Sequence, residues 1–378
     1  MSEKALKVII YVAGIVCLYA FLAIRIQPMF NLVVQEKIIP EYWENTKYGE
    51  LYYFNFIKHF REKNLPEYHE KYRHSDRHPS MQEADILTFG DSFFDFTRFI
   101  TFPEQLGNKM DKRVYYERYH DPLESLYKEK YTGDRDKVLI YESAERYIPI
   151  RFSRTHTINP RIDKRNSLRK KAAAVRDWLF LEDTEAKYTM LLNRSYPTTN
   201  VYSTISTLKF DKFGYITSLT PKYTLDYDIP WLFYHEQLNE EPSSFYYHHT
   251  DDEINYYCDN IKDLSEKLDS AYHLKMVFMP IPSKYTIYHN LINNDEYNNF
   301  LPRLYAGLEK RGVPVVKLYD DFNNADEIIY LGTDTHWNQK GIDIALKEVI
   351  SELSSYYSDS YIANDSSIKK DNNQKNKL

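Results

Sequence analysis

The stretch Asp85-Ile86-Leu87-Thr88-Phe89-Gly90-Asp91-Ser92-Phe93-Phe94 decides the fold, because an apolar run leads directly into a Gly-Asp-Ser turn. An apolar run of this length that ends at a glycine is typical of a buried parallel strand. We expect Gly90 to let the backbone bend sharply at the carboxyl end of that strand. Open α/β sheets bind their ligands at this edge, so Ser92 is a candidate nucleophile. The alternative is an ordinary turn, in which the same tripeptide also occurs.

A second motif, far along the chain, offers partners for a serine. The segment Tyr330-Leu331-Gly332-Thr333-Asp334-Thr335-His336-Trp337-Asn338 places an acid and a histidine two residues apart on a predicted loop. A serine becomes a good nucleophile when a base takes its proton and a third group fixes the tautomer of that base. Residues i and i+2 of an extended segment project to the same side, so Asp334 can bind one ring nitrogen of His336 while the other faces Ser92. We therefore predict a Ser92, His336 and Asp334 triad; a surface or capping role of the acid and the histidine is the alternative.

Further apolar runs predict the rest of a parallel sheet. They lie at Arg113–Tyr116, Lys137–Tyr141, Leu274–Pro280 and Val313–Leu318. A helical pattern at Pro122–Tyr131 links the first two of these runs, and an apolar stripe at helical spacing follows Trp337. Short strand-helix-strand units predict an α/β fold, specifically a flavodoxin-like three-layer α/β/α sandwich around a parallel sheet.

These motifs together resemble the SGNH (GDSL-like) hydrolase superfamily, which has Gly-Asp-Ser near the start of its catalytic domain and Asp-x-His near the end. The form Asp334-Thr335-His336-Trp337 is similar to the membrane-associated branch that contains the alginate O-acetylation proteins AlgJ and AlgX and the DHHW proteins. The segment Val138–Tyr147 is similar to that branch's strand with a Glu-Arg element, and Pro280–Tyr288 to its Pro-x-Pro-Ser-Lys segment. The resemblance covers roughly residues 84–350 and implies the SGNH hydrolase fold.

Asp91, Arg146 and Lys284 are further candidates for contacts with the substrate or the oxyanion. Simple SGNH members carry Gly-x-Asn-Asp at the third strand, where the asparagine donates to the oxyanion, whereas this chain has Glu142-Ser143-Ala144-Glu145-Arg146. Arg146 can stabilise developing negative charge or hold a substrate group, or it can pair with Glu142 or Glu145. Lys284 can meet an anionic sugar, support the site or lie on the surface. The backbone N–H of Ser92 is the one oxyanion donor that we name.

The composition limits the classes of partner. A net charge of -6 gives no electrostatic case for nucleic acid, which requires a basic face. The 36 tyrosines are enough to line a carbohydrate-binding surface, although a biased genome composition explains them equally well. Of the two cysteines, Cys17 lies in an apolar run and Cys258 in a polar segment, so we expect no disulfide and no cysteine-based metal site. We predict no cofactor and no bound metal.

An uncharged stretch from Val8 to Ile24, flanked by Lys7 and Arg25, predicts an uncleaved transmembrane helix with the catalytic domain outside the cytoplasm. A buried amino-terminal helix is the alternative. The predicted regions are a membrane anchor at 1–30, a helical lead-in at 31–83, a catalytic domain at 84–355 and a polar disordered tail at 356–378. An insertion at about 155–270 interrupts the catalytic domain, with a basic helix at Lys164–Arg176 and a strand-and-turn patch at Val201–Tyr223.

The pattern of Ser92, His336 and Asp334 favours an acyl-transfer enzyme. The resemblance implies O-acetylation of an exported polysaccharide or cell-surface glycan, with a multipass membrane protein as the partner that delivers the acetyl group. A carbohydrate esterase or deacetylase uses the same chemistry with water as the acceptor. Two other classes stay open: a non-catalytic glycan-binding or assembly subunit, and a metal-dependent hydrolase with Asp334 and His336 as ligands.

Overall fold

The computed structural model describes residues 3–26, 48–62, 65, 79–96, 99–118, 121–133, 137–153, 196–293, 295–354 and 356. The chain divides into two compact units. The first unit comprises Met1–Arg61 and Arg161–Thr217, and the second comprises Glu62–Pro160 and Ser218–Leu378. The predicted basic helix at Lys164–Arg176 and the predicted tail after residue 356 lie outside the described residues.

A parallel sheet is the centre of the second unit. The strands of this unit are β1 (Ile86–Gly90), β2 (Val114–Arg118), β3 (Lys137–Ala144), β4 (Lys222–Thr224), β5 (Trp231–Phe233) and β6 (Leu274–Ile281). The sheet has the order β2-β1-β3-β6, and each neighbouring pair is parallel. Strands β4 and β5 form a separate antiparallel pair.

The register of the sheet brings the carboxyl ends of β1 and β3 to one edge. Ile86 of β1 lies opposite Val114 of β2 and Val138 of β3. Every residue of β1 and of β3 is buried, which requires cover on both faces of the sheet. A mostly parallel central sheet with helices confirms the predicted α/β class.

The described helices are α1 (Glu3–Arg25), α2 (Phe102–Met110), α3 (Pro122–Lys128), α4 (Ile148–Arg151), α5 (Tyr196–Phe213), α6 (Asp251–Tyr272), α7 (Lys284–Tyr288), α8 (Phe300–Lys310), α9 (Leu318–Asn323) and α10 (residues 339–354). Helix α6 begins with a capping box, in which the Thr250 side chain and Glu253 satisfy each other's backbone N–H groups. The apolar stripe predicted after Trp337 lies on α10, where its buried members are Ile342, Ala345, Leu346 and Leu353. This packing fixes the end of the loop that precedes α10.

The predicted fifth strand is reduced to a single bridge. Val315 pairs in parallel with Phe278 of β6, and the Phe278 N–H donates to Pro314 O at 2.9 Å. Pro314 has no N–H of its own to donate, which limits regular pairing along Val313–Leu318. The prediction of a full strand there was wrong.

In the first unit, the predicted strand-and-turn patch at Val201–Tyr223 is also wrong in its first half, because α5 occupies Tyr196–Phe213. Two hydroxyl residues one helical turn apart, Ser203 and Thr207, contact the segment before residue 62. Ser203 lies 3.5 Å from the Tyr52 hydroxyl, and Thr207 accepts from the Lys58 N–H at 3.0 Å. The helical spacing of these contacts outweighs the strand propensity of the β-branched residues.

The predicted transmembrane helix is not supported. Helix α1 covers the predicted segment, yet in the described part of the chain no helix is both long and apolar enough to cross a membrane.

Candidate active site

Ser92 stands in a tight turn directly after β1, and both neighbours of the serine are fixed. The N–H of Asp91 donates to Glu142 Oε2 at 2.5 Å, and the carbonyl of Asp91 accepts from the Tyr116 hydroxyl at 3.0 Å. The N–H of Phe93 donates to Asp91 Oδ1 at 3.1 Å. Ser92 itself is partly exposed, so the turn presents its hydroxyl at the edge of the sheet.

Gly90 is needed for space rather than for a bend. Its φ lies outside the left-handed region, and a Cβ at this position would collide with the carboxyl group of Glu142 and press on the Phe94 ring. The turn that follows β1 therefore does not depend on a positive φ at Gly90. The residue allows the Glu142 side chain of β3 to lie against the end of β1.

The loop with Asp334 and His336 is closed at its base by an antiparallel bridge between Tyr330 and Trp337. The N–H of Leu331 donates to His336 O at 3.1 Å, and the N–H of Asn338 donates to Ile329 O at 2.8 Å. The loop therefore has a defined backbone shape although it contains no regular secondary structure.

One continuous hydrogen-bond chain joins the three predicted triad residues. His336 Nδ1 lies 2.6 Å from Asp334 Oδ1, and His336 Nε2 lies 2.8 Å from Ser92 Oγ. A carboxylate can only accept, so Nδ1 donates its proton to Asp334 and Nε2 is left to accept from the serine hydroxyl. Asp334 and His336 are 2% and 5% exposed, which shields this chain from water. The arrangement can remove a proton from Ser92 as the hydroxyl attacks a carbonyl carbon.

Two residues just after the nucleophile contact the His336 ring. The Phe96 ring stacks on it at a centroid distance of 4.2 Å and an angle of 8°, and Phe93 lies at 5.0 Å. Asp95 pairs with Arg118 at 2.9 Å. Burial raises the pKa of Asp95, while Arg118 and His336 act in the opposite direction. Contact with the histidine ring is a role that the sequence did not indicate for these aromatic residues.

Two of the three further candidates for substrate contact are fully buried and bind protein groups. Asp91 is fully buried, and its Oδ2 accepts from the Ala144 N–H at 3.1 Å and from Arg151 Nη2 at 3.3 Å. Lys284 is also fully buried, and its Nζ donates to the carbonyls of Leu331, Gly332 and Asp334. A side chain with no surface exposed to solvent offers no surface to an incoming substrate. Both residues support the site instead.

Arg146 lies just beyond the end of β3 and packs against aromatic rings. Its guanidinium carbon is 4.7 Å from the centre of the Tyr147 ring, and Nη2 donates to the Tyr147 hydroxyl at 3.3 Å. Its Nε is 4.0 Å from Glu236 Oε2. The carboxylates of Glu142 and Glu145 accept from other groups. A contact of Arg146 with substrate or oxyanion stays a prediction.

Three buried glutamates hold the site together. The sequence analysis named Glu142 and Glu145 only as possible partners of Arg146, and it did not single out Glu62. Glu142 supports the nucleophile turn. Burial and the neighbouring Asp91 carboxylate raise the pKa of Glu142 well above its usual range. Glu145 joins the end of β3 to the Pro-x-Pro-Ser-Lys segment by accepting from the Ser283 N–H at 2.7 Å and the Thr286 hydroxyl at 2.7 Å.

Glu62 is the third, and it accepts from the Thr333 N–H at 2.9 Å. Glu62 belongs to the predicted helical lead-in at 31–83, and its side chain is only 5% exposed. No local sequence pattern distinguishes one buried acid from the exposed charged residues around it.

A parallel sheet with a serine, a histidine and an acid at its edge is similar to the arrangement of SGNH hydrolases. Residues 229–366 match the family model described as the SGNH hydrolase-like domain of the acetyltransferase AlgX. This match supports the resemblance to the AlgX-like branch and includes Lys284, Asp334 and His336, while Ser92 precedes it. Comparison with curated proteins and with solved structures found no match.

Proposed function

We propose that this protein is a serine acyltransferase that moves acetyl groups onto hydroxyls of an exported or cell-surface polysaccharide. The observation that carries the proposal is the hydrogen-bond chain from Asp334 through His336 to Ser92, with distances of 2.6 and 2.8 Å. The family match, to a domain of the acetyltransferase AlgX, supports acetyl as the transferred group.

In the first half-reaction, Ser92 Oγ attacks the carbonyl carbon of an acetyl donor as His336 Nε2 takes the hydroxyl proton. The bond to the leaving group of the donor then breaks, and His336 returns the proton to that group. Asp334 keeps the other ring proton on Nδ1 and stabilises the imidazolium that forms between these steps. Ser92 ends the half-reaction as an acetyl ester.

The negative oxygen of the tetrahedral intermediate requires donors in place before the reaction begins. The backbone N–H of Ser92 is our first candidate. Arg146, which follows the end of the neighbouring strand, is the second. Both assignments belong to the proposal.

In the second half-reaction, a sugar hydroxyl attacks the acetyl ester, His336 takes the hydroxyl proton, and Ser92 leaves with that proton. The acceptor is a polysaccharide outside the cytoplasm, so an extracytoplasmic location is part of the proposal. A multipass membrane protein that carries acetyl groups across the bilayer is the proposed donor partner.

Hydrolysis is the second candidate, since water can replace the sugar in the second half-reaction. The partial exposure of Ser92 favours this alternative, because water can approach an acyl group on that hydroxyl. The product separates the two activities: transfer yields an acetylated sugar, and hydrolysis yields free acetate.

The test compares wild type with Ser92→Ala and His336→Ala on a chromogenic acetyl ester, with and without an oligosaccharide acceptor. We expect both variants to lose at least roughly a hundredfold in kcat/KM, and the acceptor to become acetylated by wild type alone. Acetate without acetylated sugar would favour the esterase. Equal behaviour of all three proteins would overturn the catalytic proposal and favour a glycan-binding or assembly role.

A further inference from the structure

The loop segment Leu331–Asp334, which precedes His336, is held at its backbone by two buried charged side chains of opposite sign. Lys284 contacts the carbonyl groups of this segment, and Glu62 contacts its N–H groups. Neither side chain belongs to the loop, because Lys284 begins helix α7 and Glu62 comes from the segment before β1. The acid of the proposed triad therefore depends on two distant parts of the chain.

Lys284 donates to three carbonyl groups of this segment. Its Nζ donates to Leu331 O at 3.2 Å, to Gly332 O at 2.9 Å and to Asp334 O at 2.7 Å. An ammonium group has three N–H donors, so these contacts employ them all. Carbonyl groups in an irregular buried loop need such partners, since an unsatisfied buried polar group costs about 1–3 kcal/mol.

Glu62 accepts hydrogen bonds from the N–H groups of the same segment. Its Oε2 accepts from the Thr333 N–H at 2.9 Å and from the Thr333 hydroxyl at 3.0 Å, and its Oε1 accepts from the Gly332 N–H at 3.4 Å. Burial raises the pKa of Glu62, while these hydrogen bonds and the charge of Lys284 act to lower it. Thr333 is the residue immediately before Asp334.

We propose that Glu62 is a positioning residue, which acts through Thr333 to hold Asp334 against His336. The role in catalysis rests on the acyl-transfer function proposed above, whereas the role in geometry does not. A shift of the Thr333 backbone changes the Asp334–His336 distance directly, and a misplacement of about 1 Å can cost on the order of a hundredfold in rate. Glu62 does not touch the substrate in this scheme.

The first readout is kinetic, with Glu62→Gln, Glu62→Ala and the matched control Glu83→Gln. Glu83 also accepts from a backbone N–H, that of Ser80 at 3.0 Å, but it is exposed. We expect Glu62→Ala to lower kcat on the order of a hundredfold and KM for the ester to stay unchanged. Glu62→Gln keeps one acceptor oxygen for Thr333 and should retain most of the rate, and Glu83→Gln should match wild type.

The second readout is the proton NMR signal of His336 Nδ1–H, which a short hydrogen bond to a carboxylate moves far downfield. His336→Gln identifies the signal by removing it. We expect Glu62→Ala to move it upfield or abolish it, Glu62→Gln to shift it less, and Glu83→Gln to leave it in place. This readout needs no substrate, so it tests the geometry even if Ser92 proves not to form an acyl-enzyme.

Unchanged kcat and an unchanged signal in Glu62→Ala would overturn the proposal. An equal loss in Glu83→Gln would also overturn it, because the effect would then be general destabilisation. If Glu62→Ala fails to fold, Glu62→Gln provides the test. A shifted His336 Nδ1–H signal in that variant supports the proposal. A signal and a kcat identical to those of wild type contradict it.

Discussion

His336 is the residue on which the proposed chemistry depends, and its two ring nitrogens have different partners. The 2.6 Å contact with Asp334 fixes the proton on Nδ1, which leaves Nε2 free to accept from Ser92 at 2.8 Å. An amide in place of the carboxylate can donate to Nδ1, which selects the wrong tautomer. The carboxylate is therefore required for its charge and for its lack of a donor.

We expect Asp334→Asn to lower kcat on a chromogenic acetyl ester by about 10³–10⁴-fold, because the imidazole can no longer act as a base toward Ser92. Steady-state kinetics measures the effect, and circular dichroism checks the fold. Asp343→Asn, the same change at an exposed helical position, serves as the control. A loss of less than tenfold in Asp334→Asn would show that the carboxylate does not set the tautomer.

At the residue level, the sequence revealed what lies in local motifs and missed what depends on distant contacts. Ser92, Asp334 and His336 stand in recognisable motifs. Glu62 contacts Thr333 across 271 residues of sequence, and no local pattern records such a contact. The sequence identified Lys284 as a candidate, but it could not show that the side chain is buried. A lysine after a strand can point into solvent or into the protein.

At the level of elements, the contact between β1 and β3 sets the position of the nucleophile. Gly90 at the end of β1 leaves room for the Glu142 side chain of β3, and Glu142 accepts from the N–H of Asp91 at 2.5 Å. The serine turn is thereby attached to the neighbouring strand.

We expect Gly90→Ala to lower the free energy of unfolding by about 1–3 kcal/mol, because the added methyl group forces Glu142 and Phe94 to move in a packed core. Urea denaturation measures the change. Gly14→Ala provides the comparison, since a Cβ at Gly14 meets no atom within 4 Å and should cause no loss of stability. Equal stability of Gly90→Ala and wild type would mean that β1 and β3 pack less tightly at Gly90 than the structure shows.

The buried acid on β3 also predicts a pH dependence of stability. The pKa of Glu142 lies well above its ordinary value of 4.5, because burial and the Asp91 charge disfavour the carboxylate. Its contribution to stability is therefore fully present below about pH 4.5 and is lost as the pH rises through the folded-state pKa.

The amide of Glu142→Gln cannot titrate. The free energy of unfolding of this variant should therefore increase relative to that of wild type as the pH rises above about 4.5. The slope can reach about 1.4 kcal/mol per pH unit within that window. Urea denaturation of both proteins at several pH values measures this difference. A difference that stays constant with pH would mean that Glu142 is ionised in the folded protein.

The elements that the sequence predicted best are those with continuous apolar runs. Strands β1, β3 and β6 lie where these runs predicted them, because a strand covered on both faces is mostly apolar. The edge strand β2 ends two residues beyond its predicted run, and most of its residues are half-buried. Helix α5 was missed, since Val201, Tyr202 and Ile205 have high strand propensity and all three are exposed. The helical conformation of this segment is supported by the hydroxyl contacts of Ser203 and Thr207. Those contacts depend on tertiary structure and cannot be read from the local sequence.

At the level of the whole molecule, the sheet, the serine turn and the 330–337 loop all belong to the second unit. The sequence was sufficient to predict the α/β class of that unit. It was not sufficient to predict the supports of the site, which join residues far apart along the chain.

A triad requires no metal, so we expect the protein to keep its activity on an acetyl ester after treatment with a strong chelator and removal of the chelated ions. His336→Ala should lack activity under both conditions. Loss of wild-type activity that returns with a divalent cation would favour the alternative in which Asp334 and His336 are metal ligands.

The most direct test of the central claim is peptide mass mapping after the protein is mixed with an acetyl ester and quenched in acid. We predict that an acetyl group accumulates on the peptide that contains Ser92, that it is absent from Ser92→Ala, and that it forms far more slowly in His336→Ala. Ester cleavage by wild type without acetyl-Ser92, or equal acetylation in His336→Ala, would contradict the proposed mechanism.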